Sequence, residues 1–241
     1  MGIDERLSKL AKTIGSDYYG VAELSPAKTE IVRQGGEELA RYPFAISVGI
    51  ALMHSIVDEL PNRQNRAFSV EYKHHAYDVV NARLDEITSR ISSAIQNEGY
   101  FALPVPASER YDSERICAVF SHKLAAHLAG LGWIGKSCLL VTPGSGPRVR
   151  WATVLTDAPL TPTGTPMEQR CGSCHECVDI CPAKAFTGRS FTESEPREAR
   201  FDARACEDYF SRMESEGKVS VCGLCLYACP HGKKAAKELH V

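Results

Sequence analysis

Apolar residues recur at helical spacing at Ile3, Leu7, Leu10 and Ile14, up to Gly15, and predict an opening amphipathic helix. Tyr18 to Leu24 reads as a short strand, after which Ser25-Pro26 opens a second helical stretch, with serine as cap and proline in the first turn. The uncharged run Phe44 to Leu52 predicts a buried strand. Val80, Leu84, Ile87, Ile91 and Ile95 share one face of a long helix that stops at Gly99, and Tyr100 to Val105 returns as a strand. A helix from Ser121 to Ala129 leads into a glycine-rich loop. Two β-like runs follow, Ser137 to Thr142 and Arg150 to Thr156, joined by the turn-rich Pro143 to Pro147. Helices and strands alternate to about Leu160, which predicts an α/β layered body over residues 1–160. The stretch Thr161 to Pro166 is the natural joint to a smaller module over 161–241.

Composition adds limits. With 241 residues, 44% hydrophobic, 24% charged and a formal net charge of -2, the chain is an ordinary globular one, and disorder is excluded as its main theme. Charges of both signs are interspersed, so there is no basic footprint for nucleic acid. The longest uncharged run, Tyr42 to Met53, is too short to span a bilayer, and no membrane partner is expected. The first residues, Met1 to Arg6, carry acids and no apolar export core, so the expected location is the cytoplasm.

Eight of the ten cysteines fall between Cys171 and Cys229. In a reducing compartment such clustering points to metal ligands or redox thiols rather than structural disulfides. Cys171, Cys174, Cys177 and Cys181, followed by Pro182, have the C-x2-C-x2-C-x3-C-P spacing of bacterial ferredoxins. Three close thiolates reach three corners of one iron–sulfur cube, and the fourth cysteine of such a run turns toward a second cube. Cys222, Cys225, Cys229 and Pro230 repeat the ending, and Cys206 supplies the missing member. By this crossed logic one 4Fe-4S cluster takes Cys171, Cys174, Cys177 and Cys229, and the other takes Cys206, Cys222, Cys225 and Cys181. Structural zinc would suit paired C-x2-C knuckles, but it does not explain an x3-C-P ending that occurs twice. Cys117 and Cys138 sit in apolar surroundings and read as core packing.

Gly130-Leu131-Gly132-Trp133-Ile134-Gly135-Lys136-Ser137 satisfies both the G-x-G-x-x-G and the G-x4-G-K-S patterns, and Val154 to Asp157 has a Walker-B-like ending. Both patterns need a strand before the glycines and a helix after them, because phosphate rests on that helix's first amides. Here the order is reversed: an alanine- and leucine-rich helix precedes and a β-like run follows. Gly130 then reads as a helix C-cap and Trp133-Ile134 as a plug. Arg148 and Arg150 read as a solvated strand face, and His74-His75, flanked by Tyr72 and Tyr77, as polar surface.

The run Ser121 to Lys136, with its Ala-Gly-Leu-Gly-Trp-Ile-Gly-Lys loop, and the eight-cysteine tail together resemble the epoxyqueuosine reductase family and, more remotely, the corrinoid reductive dehalogenases. The resemblance covers roughly residues 110–230. It implies an α+β architecture: a layered body similar to flavin-dependent nitroreductases that binds cobalamin, followed by a ferredoxin-like two-cluster module. Electrons from a donor such as reduced ferredoxin or flavodoxin would then pass through two 4Fe-4S clusters to cobalt, with a small molecule or a modified nucleoside as substrate. By the same resemblance Gly130, Gly132, Trp133, Gly135 and Lys136 would line the corrinoid site. The family's proton-donating acid is expected about fourteen residues before the loop's first glycine, where this chain reads Arg115-Ile116-Cys117. Tyr111, Asp112, Glu114 and Cys117 are the substitutes at hand. The family's transfer-RNA enzymes continue well beyond the last cysteine, whereas this chain ends eleven residues after Pro230, so an RNA-binding extension is not expected. The competing expectation is a two-cluster electron carrier with no catalytic site of its own.

Overall fold

The computed structural model describes residues 2–233, a mixed helix-and-sheet chain. Among the described residues the strands are β1 (Tyr18–Glu23), β2 (Phe44–Ala51), β3 (Ala102–Val105), β4 (Trp133–Ile134), β5 (Leu140–Val141) and β6 (Val149–Thr156). By compactness the chain forms two discontinuous units. One comprises Met1–Ile50, Val80–Gly132 and Arg150–Met167; the other comprises Ala51–Val79, Trp133–Val149 and Glu168–Val241. The linear expectation had a single joint after residue 160. The second unit instead takes in two upstream segments, because the cysteine-bearing tail packs against them. No helix among the described residues is long and apolar enough to cross a membrane.

The first unit is built on a four-stranded sheet of order β1-β2-β6-β3. β1 and β2 pair antiparallel with Val21 opposite Ile46, and β3 and β6 pair antiparallel with Val105 opposite Thr153. β2 is buried at nearly every position, as its unbroken apolar run requires. The helix Val80–Asn97 buries Val80, Leu84, Ile87, Ile91 and Ile95, the face its spacing predicts, and the chain turns at Gly99 with φ +90°. The opening helix, Ile3–Thr13, buries Leu7 and Ala11.

Two local readings change. Ser25 does not cap: its hydroxyl donates to Glu23 Oε1 at 2.6 Å, a short 3-10 turn covers Ser25–Ala27, and the α-helix starts only at Lys28. Tyr100 and Phe101 precede β3 rather than belong to it, and the Phe101 amide donates to Asp157 Oδ1 at 2.8 Å. That bond gives the Walker-B-like aspartate a structural task in the sheet.

The helix His122–Leu128 ends as a Schellman motif. Leu131 N donates to Ala126 O and Gly130 N to His127 O, both at 3.0 Å, with Gly130 at φ +74°. His127 Nδ1 lies 3.1 Å from Gly132 O and pins the first half of the loop. At the other end of the helix, His122 Nε2 lies 3.0 Å from the Pro106 carbonyl and so carries the proton, while Nδ1 accepts from the Thr153 hydroxyl at 2.9 Å. Burial pushes the His122 pKa down to about 4, against the opposing pull of the Pro106 carbonyl and Asp85.

A histidine whose folded pKa lies below its unfolded value favours the unfolded state once protons bind there. The His122 contribution is therefore intact above about pH 6.5 and declines as pH falls from about 6.5 toward 4. NMR titration should show this ring neutral throughout that window, and urea unfolding of His122→Gln should lose less stability across it than the parent.

Candidate metal centre

Each cysteine is held by a local device. Gly172, at φ +49°, turns the first run so that Cys174 N donates to Cys171 O at 2.9 Å, and the short helix Glu176–Asp179 carries Cys177. Cys181 precedes Pro182, and its sulfur accepts from Ala185 N at 3.5 Å. Cys206 rides on the helix Ala203–Ser215, which Asp202 caps by accepting from Ala205 N at 2.9 Å. Cys222 is followed by Gly223 at φ +69°, which starts the helix Leu224–Ala228 that carries Cys225. Cys229 follows it, with its sulfur facing the amides of His231 and Gly232.

The electrostatics sort the thiols into two groups. Burial first, and then the thiols of Cys229, Cys171 and Cys174, push Cys177 up to about 11. Burial and then Cys222 and Cys181 push Cys206 up to about 11. Cys225 is raised by burial and then by Cys222, Cys206, Cys181 and Cys177, so the two groups are neighbours. Cys222 is also raised by burial, opposed by hydrogen bonds from Leu224 N and Arg63; Cys229 is raised by burial and by Cys171 and Cys174. Four enclosed thiols cannot all ionise beside one another unless positive charge enters among them. This donor set fits an iron–sulfur cube, whose irons supply that charge to deprotonated thiolates.

The glycine-rich loop meets the first cysteine run. Lys136 is buried, and its Nζ donates to Gly172 O at 2.8 Å and to Cys174 O at 3.2 Å, with His175 Nε2 at 3.2 Å. A Cβ at Gly135 would stand 2.9 Å from Val141 Cγ2 and 3.6 Å from Cys171 Sγ. Trp133 is buried, with its ring edge-on to His231 at 4.9 Å and under Arg170 at 5.5 Å. After Lys136 the chain turns back into β5, which pairs with β4, and no helix begins there. The phosphate-loop pattern thus lacks the helix that would bind phosphate, and its lysine ties down the Cys171–Cys174 turn. In the first unit, Gly130 is a packing glycine: a Cβ there would lie 2.9 Å from Thr165 O.

Arg148 corrects the expectation of a solvated face. It is fully buried, donates through Nη2 to Asp58 Oδ1 at 2.7 Å and through Nη1 to His54 Nδ1 at 2.9 Å, and a Cβ at Gly232 would fall 2.8 Å from its Nε. It therefore backs the chain just after Cys229. His75 Nε2 accepts from Met53 N at 3.3 Å inside a π-helical stretch, His74–Val79, so one member of the paired histidines is structural. Cys138 is buried, as its setting suggested.

The proton-donor candidates form one tight turn of the first unit. Asp112 and Cys117 face each other as an isolated bridge, Ile116 has φ +51°, and the Asp112 carboxylate accepts from Glu114 N at 2.9 Å and Arg115 N at 2.8 Å. Tyr111 is exposed. Arg63, Tyr72 and Tyr209, which no spacing ties to the cysteines, lie beside the second group: a Cβ at Gly223 would meet Tyr72 Oη at 2.7 Å and Leu60 Cδ1 at 2.9 Å.

Residues 170–232, which contain all eight clustered cysteines, match the 4Fe-4S double cluster binding domain family. An epoxyqueuosine reductase from Xanthomonas campestris is 29% identical over 175 residues, covering 67% of this chain and 42% of that protein. This chain is similar to the epoxyqueuosine reductases. It spans about two fifths of the length of that curated relative. Among solved structures, a catabolic reductive dehalogenase superposes with a TM-score of 0.71 at 20% identity, covering 95% of this chain and 31% of that one. A crystal structure of an epoxyqueuosine reductase superposes with a TM-score of 0.58 at 20% identity, covering 95% and 65%. At such identity these two share the fold.

Two substitutions separate the cysteine groups. Gly223→Ala combines left-handed strain of about 1–2 kcal/mol with the clash against Tyr72 and Leu60, and should lower bound iron by about half through loss of the second cluster. Lys136→Met leaves the Gly172 and Cys174 carbonyls without their donor, at about 1–3 kcal/mol, and should loosen the first cluster alone. Iron analysis with Mössbauer spectra of anaerobically reconstituted protein reads both; equal loss from both clusters in either variant refutes the grouping.

Proposed function

We propose that the chain is an iron–sulfur reductase similar to epoxyqueuosine reductase, working in a reducing, cytoplasmic compartment. Its two 4Fe-4S clusters would be held by Cys171, Cys174, Cys177 and Cys229, and by Cys206, Cys222, Cys225 and Cys181. The observation that supports this reading is that Cys177 is raised by Cys229, Cys171 and Cys174, while Cys206 is raised by Cys222 and Cys181, so influence crosses the two cysteine runs. The clusters supply one-electron transfer from a donor such as reduced ferredoxin or flavodoxin. The residues of the chain position them: Lys136 fixes the Cys171–Cys174 turn, Arg148 backs the chain after Cys229, and amides of Ala185, Leu224, His231 and Gly232 face ligand sulfurs. Such N–H···S contacts stabilise the reduced, more negative cluster.

The acceptor proposed is a cobalamin, which when bound supplies a strongly reducing cobalt centre. Support comes from the likeness to a solved reductive dehalogenase described with a B12-dependent mechanism, at a TM-score of 0.70, 19% identity and coverage of 98% of this chain and 34% of that one. Several of the loop residues proposed for the corrinoid site are engaged within the chain. Gly130 packs on Thr165, Trp133 is buried, Gly135 packs on Val141, and Lys136 is bonded to the first cysteine turn. In substrate class, a small molecule or a modified nucleoside fits the reading. One relative was solved with an epoxyqueuosine-modified tRNA stem loop. On this proposal the sheet-bearing part has a nitroreductase-like architecture.

A second reading is a two-cluster carrier, favoured by the Asp112 carboxylate being engaged by its own turn rather than presented to a reactant. Anaerobic reconstitution followed by titration with cob(II)alamin distinguishes them. The reductase reading expects about eight irons per chain together with a saturable change in the corrinoid spectrum. Eight irons with an unchanged corrinoid spectrum leave the carrier; zinc in place of iron overturns both.

A further inference from the structure

We propose that Arg63 is the fixed positive charge that sets the reduction potential of the cluster held by Cys206, Cys222, Cys225 and Cys181, and that it ties together the two elements that carry Cys206 and Cys222. The inference deepens the double-cluster reading and rests on it.

Arg63 lies far upstream of the cysteine tail, at the end of the 3-10 turn Leu60–Asn62, with its own amide donating to Leu60 O at 3.2 Å. Its segment is seated against the second run. Leu60 and Tyr72 flank Gly223 so closely that the room for one added carbon is gone, at 2.9 and 2.7 Å. The guanidinium then reaches two ligand-bearing elements at once. Nη2 lies 3.2 Å from Tyr209 Oη, and Tyr209 stands three residues after Cys206 on the helix Ala203–Ser215, on the same side of it. The same guanidinium stands close enough to the Cys222 thiol to pull its pKa down against the effect of burial. Arg63 Nε is buried and makes no hydrogen bond among the described residues, which leaves the side chain held by its outer nitrogens.

Reduction adds one electron, taken from a low-potential reductant, to the cube; no bond forms or breaks, no proton is bound, and the cube becomes one charge more negative. A guanidinium stays charged at any working pH and donates from a rigid planar fork. Held beside a ligand sulfur in a site where burial raises the pKa of Cys225, it favours the reduced cube more than an exposed charge would. The first cluster receives its cation from a different place, Lys136, and through backbone carbonyls rather than a sulfur. The two clusters are thus tuned by separate residues.

The test is an EPR-monitored redox titration of the anaerobically reconstituted full chain, comparing the parent with Arg63→Gln, Arg63→Lys and Tyr209→Phe. In Arg63→Gln the midpoint of one cluster should fall while the other stays. Arg63→Lys, which keeps the charge but loses the fork, should show a smaller fall at the same cluster. Tyr209→Phe removes only the clamp and should leave both midpoints in place. Should Arg63→Gln fail to hold its cluster, Arg63→Lys decides alone, a lowered midpoint supporting the assignment. Parent-like midpoints in the arginine variants that assemble, or equal shifts of both clusters, overturn it. A parent protein without two clusters would instead refute the double-cluster reading, so the two failures are told apart before any variant is compared.

Discussion

The chain has to hold half-buried thiols near one another, and several features of its second unit answer that constraint. Enclosed thiols resist ionisation through desolvation, and neighbouring thiolates resist it further through mutual repulsion. Polypeptide alone does not resolve the conflict, since backbone amides offer only partial charges. The solution is a layered one: iron as the central positive charge, amides aimed at individual sulfurs, and full cations placed one layer out.

Those cations come from parts of the chain with no cysteine pattern. Lys136 arrives from the glycine-rich loop, Arg148 from the edge of the sheet strand that follows, and Arg63 from a short turn upstream. Each also mends a backbone or side-chain contact of the tail, so the electrostatic and mechanical functions are inseparable at each position. Arg148 shows the cost of misplacement most clearly. A fully buried guanidinium needs Asp58 and His54 in place, and the burial of His54 beside Arg148 lowers that histidine's pKa and keeps it neutral as an acceptor.

The parts of this arrangement written in local spacing were legible. The period of Val80, Leu84, Ile87, Ile91 and Ile95 fixed a helix face, because burial of one stripe is a property of the segment alone. The reversed order around Gly130 exposed the phosphate-loop pattern as coincidence, and the Schellman bonds supply the glycine's actual reason. The repeated x3-C-P ending implied that the cysteines cross between two groups, and Cys222 and Cys181 are the thiols that raise the Cys206 pKa after burial. What was not legible depends on partners far away in sequence. Lys136 finds carbonyls 36 and 38 residues downstream, and Arg148 finds its acid 90 residues upstream. An Arg-Val-Arg-Trp string carries no sign of which arginine is buried. Ser25 misled for a local reason: the nearby Glu23 carboxylate outcompetes the helix amides for its hydroxyl.

The interleaving of the two units has a consequence for biosynthesis. Every segment of the sheet-bearing unit has left the ribosome by Met167, whereas the segments Ala51–Val79 and Trp133–Val149 must wait for the last cysteines before their own partners exist. Through that interval apolar side chains such as Leu60, Tyr72 and Trp133 lack their native cover. Folding of this unit is therefore tied to completion of the cysteine-bearing tail, whereas the sheet-bearing unit is not.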